Sequence, residues 1–93
     1  PDSAYALNNM GMVHFDKQEM QAAYKYFLRA SEKDPLNPTS QYNLGYMNER
    51  FGAREKAIEH YRKFLLLEDP QFREQRKNLR QHLMIRYGVD VRQ

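Results

Sequence analysis

The sequence predicts an all-α fold: an α-solenoid of two antiparallel helix-turn-helix repeats closed by a C-terminal capping helix. Three observations predict it. Residues return at a fixed spacing of 34: Asn9 as Asn43, Gly11 as Gly45, Ala23 as Ala57, Phe27 as Tyr61, and Pro1 as Pro35, with Pro70 one residue late. Apolar residues recur at three- and four-residue steps, and no segment alternates apolar and polar residues long enough for a strand. Proline steps and glycines punctuate the helical stretches. A period in this range marks a stacked repeat whose single unit cannot bury its own apolar face. The 93 residues make one domain: a first repeat over about 4–37, a second over about 38–70, the capping helix over about 70–87 and a frayed tail at 88–93.

The first helix is predicted from about Ser3 to Phe15, with Asp2 or Ser3 as N-cap and Leu7, Met10, Gly11 and His14 on one side. Asp16-Lys17 marks a short turn. The second helix covers about Glu19 to Glu32 and buries Met20, Ala23, Phe27 and Ala30. Asp34-Pro35-Leu36-Asn37-Pro38 breaks the chain: Pro35 disfavours helix at Asp34, and Asn37-Pro38 reads as an N-cap followed by proline in the first turn. The third helix runs from Pro38 to Arg50, and Gly52 suits the left-handed residue that follows it. The fourth covers about Arg54 to Leu67, with Ala57, Ile58, Tyr61, Phe64 and Leu65 buried. Asp69-Pro70 starts the fifth, which runs to about Arg86 with Phe72, Leu79, Leu83 and Tyr87 inward, and Gly88 stops it.

Glycine inside a helix costs about 1 kcal/mol relative to alanine, so Gly11 and Gly45 need a reason. Close approach supplies one. The second helix of each pair can reach the backbone of the first where no side chain intervenes, with Ala23 and Ala57 as small partners. Phe27 and Tyr61 then fill the wider space one turn on.

These residues resemble the tetratricopeptide repeat family. Its pattern of Leu-Gly, Tyr, Ala, Phe and Pro stands here as Leu7, Met10-Gly11, His14, Ala23, Phe27, Ala30 and Pro35, and again as Gln41, Leu44-Gly45, Asn48, Ala57, Tyr61 and Pro70. The departures are Gln41 in place of an aromatic or leucine, His14 and Asn48 in place of tyrosine, and Phe64 at the place matching Ala30. In the fifth helix Leu79-Arg80 replaces Leu-Gly. An arginine there blocks close approach of a further helix, so this element reads as a terminal cap.

The resemblance implies a protein-interaction scaffold that holds a peptide or partner helix in a groove lined by the first helix of each pair. Helical steps place Tyr5, Asn8, Asn9, Met12 and Asp16 there from the first copy. The second copy contributes Thr39, Tyr42, Asn43, Tyr46 and Arg50. Asn9 and Asn43 stand out, because an amide donates and accepts at once and matches a peptide backbone. Some family members clamp a C-terminal carboxylate with lysines, an arginine and asparagines. Asn43 matches one of those asparagines, but Asn8 and Met12 replace a lysine and an asparagine, which disfavours that clamp.

Net charge is +3 and uneven: residues 1–52 hold five Lys/Arg against six Asp/Glu, and residues 53–93 hold ten against six. The excess favours acidic partners toward the C-terminal half. Arg73, Arg76, Lys77 and Arg80 form a basic patch on one side of the fifth helix. A solvated face is the preferred reading, and nucleic-acid binding is disfavoured without interleaved aromatics. Self-assembly or packing against further repeats is the alternative, since short arrays leave an end face bare.

There is no cysteine, which excludes disulfides and thiolate metal sites. His14, His60 and His82 have no neighbouring ligand at metal spacing, and no nucleophile motif or phosphate-cradling glycine loop is present. No enzyme activity, metal or cofactor is therefore expected. No apolar run approaches the roughly 20 residues that span a bilayer. Pro1 stands where the closing proline of an earlier repeat would stand, so a segment of a longer protein is expected. The compartment stays open, with the cytoplasm favoured.

Overall fold

The computed structural model describes residues 3–91. The order is α1 (Ala4–Asp16), α2 (Met20–Lys33), α3 (Pro38–Arg50), α4 (Arg54–Leu67), a 3₁₀ turn at Pro70–Phe72 and α5 (Arg73–Tyr87), with no strand among the described residues.

The helix starts follow the sequence. The Ser3 hydroxyl accepts from the Ala6 amide at 3.1 Å. Asn37 Oδ1 accepts from the Ser40 amide at 3.0 Å, one residue ahead of Pro38, whose missing N–H costs nothing in the first turn. Asp69 Oδ1 accepts from the Gln71 amide at 2.9 Å, and the turn that follows is 3₁₀; the α-helix expected from Pro70 begins at Arg73.

The two inter-helix turns repeat bond for bond. The Lys17 amide donates to Val13 O and the Phe51 amide to Met47 O. Glu19 donates to His14 O, and Ala53 to Asn48 O, both at 2.8 Å. Each turn needs a left-handed residue. Gly52 supplies it in the second copy at φ 78°, and Gln18 holds the matching position in the first at φ 64°. The extra residue before Pro70 is absorbed the same way, with Glu68 at φ 51°.

The glycine notch is filled by a ring. A Cβ on Gly11 would lie 2.4 Å from Phe27 Cε1, and one on Gly45 would lie 2.5 Å from Tyr61 Cδ1. Phe27 and Tyr61 therefore occupy the notch itself, where the sequence suggested backbone approach with the rings one turn away. Ala23 and Ala57 are fully buried at the same joints.

The core lies in three clusters, each at a seam. Ala4, Leu7 and Ala30 close the first pair. Ala23 and Phe27 of α2 meet Leu44 and Met47 of α3 and join the repeats. Ala57, Tyr61, Phe64 and Leu65 of α4 meet Leu79 and Leu83 of α5 and seat the cap. Phe64, placed where the first copy has Ala30, fills that last seam and stacks near Phe72 with ring centroids 5.7 Å apart.

The departures in the second copy pair up. Gln41 replaces Leu7 and His60 replaces Tyr26; their side chains meet at 2.9 Å, so one apolar contact is exchanged for a hydrogen bond. The frayed tail is corrected in part. Gly88 ends α5 at φ 65°, then Val89 and Val91 turn back on the cap seam, with Val91 only 7% exposed. Residues 92–93 lie outside the described residues, as does Asp2, the other candidate N-cap. Among the described residues, no helix is long and apolar enough to cross a membrane.

Candidate functional site

Helices α1, α3 and α5 share one side of the molecule, and shallow depressions run between them. A helix repeats its face every three to four residues, so Tyr5, Asn9, Met12 and Asp16 share a side of α1, and Thr39, Tyr42, Asn43, Tyr46 and Arg50 share a side of α3. Between α1 and α3, Met12, Phe15, Tyr42, Asn43 and Tyr46 enclose about 220 Å³ over the edge of Phe27. Between α3 and α5, Tyr42, Tyr46, Glu49, Gln75, Asn78 and His82 line about 300 Å³. Thr39 joins Tyr42, Phe64, Phe72 and Gln75 around a third hollow of about 220 Å³. Tyr42 and Tyr46 thus form the ridge shared by the first two of these hollows.

Asp16 and Arg50 line one depression at the far end, with Phe15, Gln18 and Met20. Tyr5 is 75% exposed and Asn9 is exposed, but neither lines these depressions.

Asn43 is half-buried, and its Nδ2 is enclosed with no hydrogen-bond partner. An enclosed amide donor without an acceptor costs about 1–3 kcal/mol, and Asn43 carries that unmet donor behind the wall of the hollow. Asn78 stands on α5 at the place matching Asn43, once the extra residue before Pro70 is counted. Successive inner helices therefore carry Asn9, Asn43 and Asn78.

Asn8 does not belong to this surface. It is 5% exposed and donates Nδ2 to Ser40 Oγ at 3.0 Å and to Asn37 Oδ1 at 3.4 Å. Its helical position turns it toward the start of α3, where it ties the first repeat to the second.

Glu49 anchors the cap. Its Oε1 accepts from Tyr61 Oη at 2.9 Å, and its Oε2 accepts from His82 Nε2 at 2.7 Å and Tyr87 Oη at 3.0 Å, with Arg86 Nε also at 3.0 Å. Burial alone would raise this carboxyl, but the donors from His82, Tyr61 and Tyr87 outweigh it and hold the group below the usual carboxylate range. Burial, and then Glu49 itself, push the Tyr61 phenol upward, so it stays a donor. One carboxylate therefore links α3 to both α4 and α5.

The helix pair, with its glycine notch and its turn, occurs twice, and the family model for the tetratricopeptide repeat matches the chain twice, over residues 4–35 and 38–69. The chain belongs to the tetratricopeptide repeat family. Neither the curated proteins nor the solved structures gave a match to it. Tetratricopeptide repeats generally serve protein–protein interaction, and the family is typically a non-catalytic scaffold.

In this tetratricopeptide domain the basic patch of α5 is split. Arg73 and Lys77 are exposed, whereas Arg76 and Arg80 are half-buried. Phe72 faces the Phe64 ring and so offers no platform for a base.

Sequence reasoning missed Phe15, Glu49, Gln75, Asn78, His82 and Arg86. Asn78 was findable: aligning Leu79 with Leu44 puts it in register with Asn43. Reading α5 only as a cap hid its inner face. Glu49 left no such signal, since its donors arrive from two other helices.

Proposed function

We propose that this chain is a protein-binding scaffold that holds a peptide or partner helix of another protein in the groove along α1, α3 and α5. The carrying observation is the enclosed, unpartnered Asn43 Nδ2 beside the Met12–Phe15–Tyr46 hollow. Turned about χ2 into the apolar hollow, this amide would meet a backbone carbonyl with an anchoring side chain beside it. Tyr42, Tyr46 and Met12 offer large, adaptable contact at modest entropic cost. The test is NMR shift mapping with peptides selected by the chain from a random displayed library. Shifts should centre on Met12, Asn43 and Tyr46, and Asn43→Ala should weaken binding about tenfold. Shifts confined to α2 and α4 overturn the groove.

A second reading is self-assembly, or packing against a further repeat, through the outer face of α1. Met10 and Val13 are 44% and 48% exposed, while their counterparts Leu44 and Met47, covered by α2, are fully buried. The internal seam shows what fits: a helix with an aromatic and aliphatic stripe like that of α2. Sedimentation equilibrium at high concentration should show self-association that Met10→Glu with Val13→Glu abolishes. A strict monomer overturns the self-association version. The basic patch on α5, with Phe72 turned inward, supports no nucleic-acid reading.

A further inference from the structure

The groove has a cationic end at which one guanidinium has no carboxylate at ion-pair distance among the described residues. Arg50 lies over the rings of Phe15 and Tyr46, at 5.8 Å and 5.7 Å from their centroids, and its Nη1 donates to Tyr46 Oη at 3.4 Å. Among the described residues it forms no ion pair. Asp16 shares a depression with it without approaching to ion-pair distance. Arg86 meets Glu49 through Nε, yet its side chain stays 57% exposed. Glu49, 12% exposed, lines the same hollow; Arg86 balances its charge and Tyr61, His82 and Tyr87 hold its oxygens, which leaves Arg50 as the unbalanced charge there. Arg50, Arg86, His82, Tyr46 and Glu49 together line an open hollow of about 510 Å³.

A guanidinium beside two rings is weakly hydrated, and its planar fork matches a carboxylate. Arg86, over the single ring of Tyr87 and paired through Nε with Glu49, brings a second guanidinium to the same hollow, and together they make a place for an anion. Tyr46 has this hollow on one side and the apolar Met12–Phe15 hollow on the other. We propose that the bound segment carries an Asp or Glu side chain between Arg50 and Arg86, next to an apolar residue seated against Met12 and Phe15. This rests on the groove reading above and adds the chemistry of the ligand.

The test uses amidated peptides resynthesised from those the chain selects out of a random displayed library, measured by fluorescence polarisation. They should carry an acidic residue beside an aromatic or aliphatic one. Glu→Gln or Asp→Asn in the peptide should weaken binding roughly tenfold. That difference should vanish with Arg50→Gln and Arg86→Gln combined, survive only in small part with both changed to lysine, which keeps the charge but loses the planar fork, and shrink as salt rises. Peptides with a free C-terminus should bind no better than amidated ones. A preference for the free terminus places the carboxylate of a chain end there and overturns the side-chain assignment. Selected peptides that lack acids, or that bind the double glutamine variant with the same acid preference, also overturn the proposal. If such peptides still lose affinity with Tyr46→Ala, the groove stands and only the anion site falls. A library yielding no Tyr46-dependent binder removes both. Thermal melts of each variant separate lost binding from lost folding.

Discussion

Gly11 and Gly45 each lie beneath an aromatic ring, and that contact sets the spacing within each helix pair. Alanine at position 45 would gain up to about 1 kcal/mol of helix propensity. It would also place a methyl group 2.5 Å from the Tyr61 ring, which is held by Glu49 at 2.9 Å and cannot move freely. Overpacking of this kind costs about 1–3 kcal/mol, so Gly45→Ala should be net destabilising by about 1–2 kcal/mol in urea unfolding. Gln18 runs the other way. It holds the left-handed conformation that Gly52 holds in the second copy, at a cost of about 1 kcal/mol for a side chain. Gln18→Gly should raise the Tm by about 2–4 °C in a thermal melt, because relief of that strain exceeds the added chain entropy by about 0.5 kcal/mol. The left-handed turn was legible at Gly52 and invisible at Gln18, since glutamine carries no signature of the conformation that the repeat imposes on it.

At the scale of elements, the seams decide how the helices lean. Asn8 and Ser40 join the repeats by a side-chain bond of 3.0 Å, and Glu49 joins α3 to α4 and α5. Glu49→Gln keeps the shape and removes the charge that attracts Arg86 and His82. It should leave α1 to α4 protected from amide exchange while α5 exchanges markedly faster, measured by hydrogen–deuterium exchange. Equal exchange in α5 would show that Leu79, Leu83 and Val91 seat the cap without help. Four helices were readable to within a residue, because proline, asparagine and glycine mark their ends chemically, and the fifth began three residues later than Asp69-Pro70 suggested. The role of Asn8 was not. Its step along α1 fits the groove face, and only the approach of Ser40 turns it into a buried link.

For the whole molecule, two groups tie folding to acidity. Burial first, then Lys63, hold the His60 imidazole below its ordinary range, so it stays neutral in the fold. The carboxyl of Glu49 is likewise held low. Both folded values are depressed, so each contribution is complete above the unfolded value and lost as pH falls through the folded one. Stability should therefore decline as pH falls below about 6.5, and again below about 4.3, the ordinary values of histidine and glutamate. Urea titrations across this range check it: His60→Gln should flatten the upper decline and Glu49→Gln the lower one. A flat profile in the wild-type chain would show that neither group is perturbed in solution.

By itself the sequence determined the repeat, its period, the helix ends and the side of the chain that could meet a partner. Those depend on local chemistry: propensity, capping and the apolar step along a helix, twice over. Tertiary structure alone decided which inner residues are open and which are spent on the seams, because that depends on what another helix brings to within about 3 Å. Asn8 lost its place in the groove to Ser40. Asn78 and His82 joined the groove because α5 lies beside α3, and Arg50 became a candidate anion site because two rings flank it and no carboxylate of the described residues approaches it to ion-pair distance.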